Sequence, residues 1–346
     1  MKYTGELDLK TLLAPLSASV QWELVNQLKE IDGTQEWALS LTPPLIPLSR
    51  GLSNQNYLLE GEMPSALRLN SQASGSICDR LSEVNNWRLA EQAQLAPRLR
   101  YVADDHSCYL SEFIASERDW SHLMTANSAH PLIDYREIWP QAEELLLTLL
   151  RQLSHLPAPE NSHFIDAQWH EYLEALKICD KKKDSLAPSL KQAWSERYGR
   201  LLKRQDRVTK LLEKLEDCML APQFSHRDLN PHNLIYTDNK LWCIDFEYAC
   251  LSHPLVDLAS ILATHRLSTP QRHYLIRSYL HQHPKLTSDA LSAIPAAIEL
   301  YWYFACCWAL LMASYSQDEK VESKQGSALF TSYLNCFDGS AALLTE

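Results

Sequence analysis

The chain has 346 residues, 46% apolar and 22% charged, with 43 acidic against 32 basic side chains and a formal net charge of −11. That length and balance suit two packed lobes or one large domain with its own core, and exclude predominant disorder, a collagen-like chain and a mini-fold dependent on metal or disulfides. The acidic charge disfavours a broad nucleic-acid surface, which carries the opposite sign, but leaves room for one local anion-binding cleft.

Residues 8–30 place Leu9, Leu12, Leu13, Leu16, Val20 and Leu24 near helical spacing, with Pro15 splitting the run or marking its start, and Pro43 and Pro44 end any helix. Strand patterns follow at 45–49, 56–60 and 66–69. A polar SQASGS stretch leads to a helical pattern over 79–92, then to strands at 101–102 and 108–113 around the turn Asp104-Asp105. This order predicts a small antiparallel sheet with one inserted helix. Beyond Phe113 the character changes. Helical patterns occupy 134–155, 166–179 and 188–218, and strand character returns at 234–236 and 241–244 around Thr237-Asp238-Asn239. Helical patterns resume at 253–265, 268–282, 287–317 (interrupted by Pro295) and 323–337. The expectation is an α+β, two-lobed chain: residues 1–113 as a strand-built lobe with a leading helix, 114–346 as a helical lobe.

Nine cysteines without a CxxC read as small buried hydrophobes in a reducing compartment. The N-terminus lacks a signal-peptide h-region, and the apolar stretch 296–315, which contains Glu299, reads as a buried helix rather than a membrane span. Cytoplasm without a membrane partner is the default. Lys181–Lys183 reads as a solvated loop.

The chemistry concentrates in FSHRDLNPHNLIYTDNKLWCIDFEYA, residues 224–249. If the two strands inside it pair as a hairpin, Asn233 before the first and Asp245 after the second meet at one end. A carboxylate and an amide oxygen, completed by phosphate oxygens and water, suit magnesium. Asp228, in the same loop, is placed to accept a proton from a substrate hydroxyl, and His226 to fix the loop. These are the parts of a phosphoryl-transfer site, which needs an oriented nucleophile and fixed positive charge more than covalent help. One at a time, Asp228, Asn230 and Asn233 also read as turn formers.

The segment resembles the catalytic core of the aminoglycoside phosphotransferase and choline kinase superfamily, itself similar to the protein kinases. HRDLNPHN resembles its catalytic loop and IDFEY its metal-binding segment, in the form used by choline/ethanolamine and thiamine kinases. RGLSNQNYLLE resembles the nucleotide-covering hairpin of these small-alcohol kinases, and the layout of residues 45–317, including LSHLP at 153–157, follows them. The resemblance implies a two-lobed protein-kinase-like fold that uses ATP and Mg2+, with Asp228 catalytic, His226 its loop anchor, and Asn233 and Asp245 metal ligands.

On the nucleotide side the expected contacts are Gly51, Ser53 and Asn54 in the covering loop, and Arg68 on the third strand. The arginine stands where protein kinases carry lysine; its fork binds phosphate bidentately. Glu83 is the expected partner of Arg68, although Asp79 and Glu91 flank it. Glu112 and Phe113 mark the hinge, where backbone groups would hold adenine. Asp257 is expected to brace the catalytic loop. On the acceptor side, Glu247 and the helical face of Glu299, Trp302 and Tyr303 (i, i+3, i+4) would suit a cationic alcohol such as thiamine, choline or ethanolamine. An aminoglycoside or sugar-like acceptor, or a nucleotide-binding regulatory protein without turnover, stands as the alternative. A protein acceptor is disfavoured by the lack of an A-P-E segment after IDFEY. A zinc hydrolase is disfavoured because none of the 13 histidines sits in H-E-x-x-H. No nucleic-acid partner is expected.

Overall fold

The computed structural model describes residues 46–48, 54–59, 64–75, 77–124, 139–162, 164–316 and 323–344. The helix expected at 8–30 and the loop residues Gly51 and Ser53 lie outside the described residues. Strands β1 (Ile46–Pro47), β2 (Gln55–Leu59), β3 (Ser65–Leu69), β4 (Leu99–Val102) and β5 (Cys108–Glu112) form an antiparallel sheet in the order β1-β2-β3-β5-β4. Between β3 and β4 run the short helix α1 (Gln72–Gly75), where the sequence suggested only a polar turn, and α2 (Arg80–Gln92).

Helix α2 starts at Asp79, whose carboxylate accepts from Leu81 N at 3.1 Å and so satisfies one of the open N–H groups of the first turn. Its buried stripe is Glu83, Val84, Asn86, Trp87 and Ala90. The spacing is helical, but two members are polar: Glu83 bonds Arg68 and Tyr109 within its own lobe, and Asn86 reaches Ala249 O across the lobe boundary. Trp87 fills the gap between the lobes, with its ring 6.3 Å from Tyr109 in the sheet and 6.0 Å from Phe246 beyond it. Backbone also joins the lobes, with Cys243 N donating to Leu95 O at 2.7 Å; just past the boundary Glu117 N donates to Tyr236 O at 3.0 Å within the larger lobe.

The larger lobe comprises α3 (Ala142–Ser154), α4 (Ile165–Lys182), α5 (Pro188–Leu202), α6 (Gln205–Glu216), α7 (Leu255–Thr264), α8 (Thr269–Leu280), α9 (Ala290–Tyr315) and α10 (Ser323–Ala341). Two small ribbons carry the site: β6 (Gln223–Ser225) pairs with β9 (Cys250–Ser252), and β7 (Leu234–Thr237) with β8 (Lys240–Cys243). The strand-built and helical lobes are thus as expected. Three details differ. The run 188–218 is two helices, because the chain turns at Lys203 and Arg204 to set the Val208, Leu211 and Leu215 face of α6 against α9. Helix α9 runs straight through Pro295: the hydrogen bond lost there is the one to Leu291, whose side chain faces solvent. The strands β6 and β9 were not foreseen.

Helix α9 is the one described helix long and apolar enough to cross a membrane, yet 67% of its most apolar window is buried, and α4, α6, α7 and α10 pack around it. It is the spine of the larger lobe's core. None of the nine cysteines forms a disulfide, and seven of them are buried.

Candidate active site

Strand β6 delivers the chain into the loop 226–233, and buried hydrogen bonds fix its shape. Asp257, in the first turn of α7, accepts from Ser225 Oγ at 2.8 Å, His226 N at 3.0 Å and Arg227 N at 2.7 Å. The helix N-terminus suits the carboxylate. Burial raises the Asp257 carboxyl above its ordinary value, and the Arg227 N–H is the main influence opposing that rise. Arg227 is held at φ 69°, the left-handed region, as is Asp245 at φ 69°. Neither is glycine, so each carries local backbone strain that the surrounding bonds must outweigh.

His226 is fully buried against Phe246, ring centroids 4.7 Å apart. Its Nε2 donates to Ile244 O at 3.1 Å, which assigns the ring proton, and Nδ1 accepts from Asp228 N at 3.4 Å. His226 therefore spans the catalytic loop and the segment leading to Asp245. It positions both, and both of its ring nitrogens are already engaged within the protein.

Asp228 is oriented from both sides. Asn230 Nδ2 donates to Oδ1 at 2.9 Å and Asn233 Nδ2 to Oδ2 at 2.8 Å. Burial raises its carboxyl above the usual carboxylate range; the Asn230 amide opposes this, and the charge of Asp245 adds to it. The turn Pro231–Asn233 is capped by Asn230, whose Oδ1 accepts from His232 N at 2.9 Å. Ile244 N then donates to Asn233 O at 3.0 Å, closing the β7–β8 ribbon beside the Leu234–Cys243 pair. Asn233 and Asp245 are brought to one end of that ribbon, with Asp228 bonded to Asn233.

These donors fit magnesium. Asn233 spends its amide N–H groups on Asp228, which leaves the oxygen as that side chain's acceptor. Asp245 keeps a side-chain exposure of 27% and already holds one cation, the Arg68 guanidinium. One carboxylate and one amide oxygen form an open hard-oxygen set, as expected of a metal completed by phosphates and water. Among the described residues no cage of three or more His, Cys, Asp or Glu side chains converges.

Arg68 lies at the centre of the cleft. Its Nη1 is 2.7 Å from Asp245 Oδ1 and 2.9 Å from Glu83 Oε1, and its Nη2 is 3.1 Å from Glu247 Oε2. Burial works against the guanidinium's charge, but the three carboxylates outweigh it and raise its pKa. Glu83 is thus the partner of Arg68; Asp79 caps α2 instead, and Glu91 accepts from Leu99 N at 3.1 Å. Arg80 joins the cluster through Glu83 Oε2 at 2.7 Å and Glu247 Oε2 at 3.4 Å. Tyr109 donates its hydroxyl to Glu83 at 3.2 Å.

Several expected contacts sit elsewhere. Glu247 does not line an acceptor pocket: it is buried beneath Arg68 and Arg80, with its carboxyl pushed up to about 7 by burial and then by the Asp245 charge, against Arg68. Asn54 is occupied within the protein, its Oδ1 accepting from Ser71 N at 3.1 Å and Ser74 Oγ at 2.9 Å while Nδ2 reaches Glu247 at 3.4 Å. At the hinge, Glu112 N donates to Arg98 O at 2.8 Å and Phe113 N to Pro64 O at 3.1 Å, so neither N–H is left for a base.

The acceptor face of α9 is also displaced. Glu299 is paired with Arg207 of α6 at 3.0 and 2.6 Å, and Tyr303 is buried with its ring 6.4 Å from Trp169. Trp302 is half-buried with its ring centroid 5.0 Å from Tyr301. Successive helical residues are about 100° apart, so Tyr301 faces nearly opposite to Glu299 and Tyr303. Burial and then the Asp228 charge raise the Tyr301 hydroxyl. Tyr248 is raised by burial and by the charges of Glu247 and Asp228, and its buried hydroxyl has no protein partner among the described residues. These two tyrosines were missed. The sequence cue was available for Tyr248, one residue past Glu247, but the face of α9 is set by its packing partners.

Residues 44–290 match the phosphotransferase enzyme family, APH. The chain belongs to that family. Protein LicA of Haemophilus influenzae is 34% identical over 147 residues, 41% of this chain and 41% of that protein. A second Haemophilus influenzae LicA is 33% identical over 147 residues, covering 41% of this chain and 52% of its own. The match therefore spans about half or less of the curated relatives' length. Among solved structures, choline kinase LicA from Streptococcus pneumoniae aligns with TM-score 0.58 and 14% identity over 92% of this chain and 99% of that one. A choline/ethanolamine kinase family protein from Mesorhizobium loti aligns with TM-score 0.55 and 18% identity over 93% of each chain. At these identities the likeness establishes the fold: two lobes, kinase-like, with a small antiparallel sheet above a mostly helical body.

Proposed function

We propose that the protein transfers the γ-phosphoryl group of ATP to the hydroxyl of a small, cationic alcohol, with magnesium held by Asn233 and Asp245. The observation that carries this reading is the grouping of Asp228, Asn233 and Asp245 at one end of the β7–β8 ribbon: Asn233 is bonded to Asp228, Ile244 N bonds Asn233 O beside Asp245, and Asp245 pairs with a buried arginine on β3. Asp228 accepts the acceptor's proton as its oxygen forms the new bond to phosphorus, and the bond to the bridging oxygen of ADP breaks with its electron pair. The raised carboxyl of Asp228 brings its basicity closer to working pH, where a general base is most effective. Asn230 and Asn233 hold that carboxylate in line, and Arg68 offers a guanidinium to phosphate oxygens. Asn233 and Asp245 would hold the magnesium, which would supply positive charge to the transferring phosphate.

A cationic acceptor suits aromatic rings, which attract desolvated cations; Tyr248 and Tyr301, whose hydroxyls feel the Asp228 charge, are the rings we put forward for it. The structural neighbour from Streptococcus pneumoniae is described as a choline kinase, which favours choline or a similar amino alcohol over an aminoglycoside. Cytoplasm is the compartment proposed, on the burial of seven of the nine cysteines.

The test is ADP release against choline, ethanolamine, thiamine and an aminoglycoside, with and without Mg2+. Turnover with one small cationic alcohol, dependent on Mg2+, is the expected result. Aminoglycoside-only turnover would overturn the acceptor assignment, and ATP binding without turnover on any acceptor would favour a regulatory protein.

A further inference from the structure

The cluster around Arg68 is unbalanced as it stands. Arg68 and Arg80 face Asp245, Glu83 and Glu247, two cations against three carboxyl groups, in a space where the Glu83 side chain is 0% and the Glu247 side chain 4% exposed. Arg68 is itself buried, and its Nε finds no acceptor among the described residues. For Arg68 to bind a phosphate, one or both of its terminal nitrogens must leave Asp245 and Glu247. That step would leave a buried carboxylate without its cation, which is costly in a low-dielectric site.

Arg80 removes that obstacle. It lies one turn before Glu83 on α2 and bonds both Glu83 and Glu247, so both carboxylates keep a cation when Arg68 turns away. The same guanidinium is linked through Ser74 to Asn54, the residue before β2. Its Nη2 donates to Ser74 Oγ of α1, Ser74 Oγ donates to Asn54 Oδ1 at 2.9 Å, and Asn54 Nδ2 returns to Glu247 at 3.4 Å. Arg80, Ser74, Asn54 and Glu247 thus form a closed ring that ties the carboxylate pair to the residue just after the loop 49–53.

We propose that Arg80 is a positioning residue of the nucleotide site, acting through Arg68 and Asn54 without touching nucleotide itself. It holds the charge of Glu83 and Glu247 so that Arg68 is exchangeable onto phosphate, and it fixes Asn54, just before β2, through Ser74. This rests on the nucleotide reading given above.

The experiment is calorimetric titration of ADP with Mg2+ into the intact protein and three variants, with steady-state kinetics alongside. Arg80→Gln is expected to weaken ADP binding by about tenfold or more and to raise the ATP KM while kcat stays within about twofold. Arg80→Lys keeps the charge beside Glu247 and is expected to recover part of the loss. The double variant Arg80→Gln/Glu247→Gln removes the stranded carboxylate with its cation and is expected to bind ADP more tightly than Arg80→Gln alone. Wild-type affinity in Arg80→Gln, Arg80→Lys as weak as Arg80→Gln, no recovery in the double variant, or a fall in kcat at unchanged KM would each overturn the inference. Failure of the wild-type protein to bind ADP would overturn the nucleotide reading itself, and is seen before any variant is made.

Discussion

The floor of the cleft and its roof are built on opposite plans. On the floor, residues 223–257, the polar groups around Asp228 are matched: Asp257 takes three donors, His226 uses both ring nitrogens, and Asp228 is held by two amides. At the roof, carboxylates outnumber guanidinium groups, Arg68 serves three of them at once, and its Nε is unmatched among the described residues. A matched network sets a geometry before any ligand arrives; an unmatched one waits for a ligand to complete it. The contrast assigns preorganisation to the surroundings of Asp228 and adaptability to those of Arg68.

Replacing Asp228 by Ala tests the floor most severely. Turnover should fall roughly 10³-fold or more, with ADP affinity measured by calorimetry nearly unchanged. A parallel loss of nucleotide affinity would mean that floor and roof are not separable. Asp257→Ala should cost about 3–5 kcal/mol in urea unfolding, because three buried donors lose their acceptor at once. A cost under about 1 kcal/mol would show that the floor is not braced as described.

Acid provides a third probe, because α7 carries Asp257 at one end and is capped by His265 at the other. His265 Nε2 accepts from Trp120 Nε1 at 2.9 Å, and burial holds its pKa down to about 3 from the ordinary 6.5. The unfolded chain binds that proton first, so the stabilisation is complete above about pH 6.5 and is lost as pH falls toward 3. Stability should drop by about 2 kcal/mol from this group between pH 7 and pH 5, with His253 adding in the same direction. A His265→Gln protein should show a flatter profile over that window. The smallest effects separate the two faces of α9. Glu299→Gln, which breaks a pair with a half-exposed arginine, should cost about 1 kcal/mol or less and leave the acceptor KM unchanged. Tyr301→Ala should raise the acceptor KM about tenfold. The reverse pattern would restore the Glu299 face as the acceptor wall.

Legibility followed sequence distance. Asp228, Asn233 and Asp245 could be found because a hairpin with a two-residue turn brings near neighbours together, and the ribbon's register follows from its alternating apolar pattern. Arg68 stood out as the one polar residue in the apolar stretch of β3, and Glu83 as a carboxylate on the next helix. Arg80 and the inward turn of Glu247 were not visible, since they meet across 167 positions and nothing local marks either. Asn54 has the composition of a phosphate-loop residue, and only the placement of α1 shows that its amide is used within the protein. On α9 the aromatic-rich sequence pointed to the face of Glu299, Trp302 and Tyr303. Arg207 on α6 took Glu299 to one side, and the Tyr301 hydroxyl feels the Asp228 charge.

Asn86, the second polar residue on the buried stripe of α2, donates to Ala249 O at 2.5 Å, and Asn161 Nδ2 donates to the same carbonyl at 3.0 Å. Ala249 lies four residues past Asp245, and β9 begins at the next position, so the chain enters the β6–β9 ribbon at once. An outward swing of α2 would strip that carbonyl of the Asn86 bond and Glu83 of its place beside Arg68, a toll of about 1–3 kcal/mol before any packing is counted. Such a bias keeps the displaced arrangement a minor population. Under the proposed phosphoryl transfer, output would then be governed by how much substrate reaches the site rather than by the position of α2. Amide exchange along α2 should accordingly be slow in the free protein and change little when nucleotide is added.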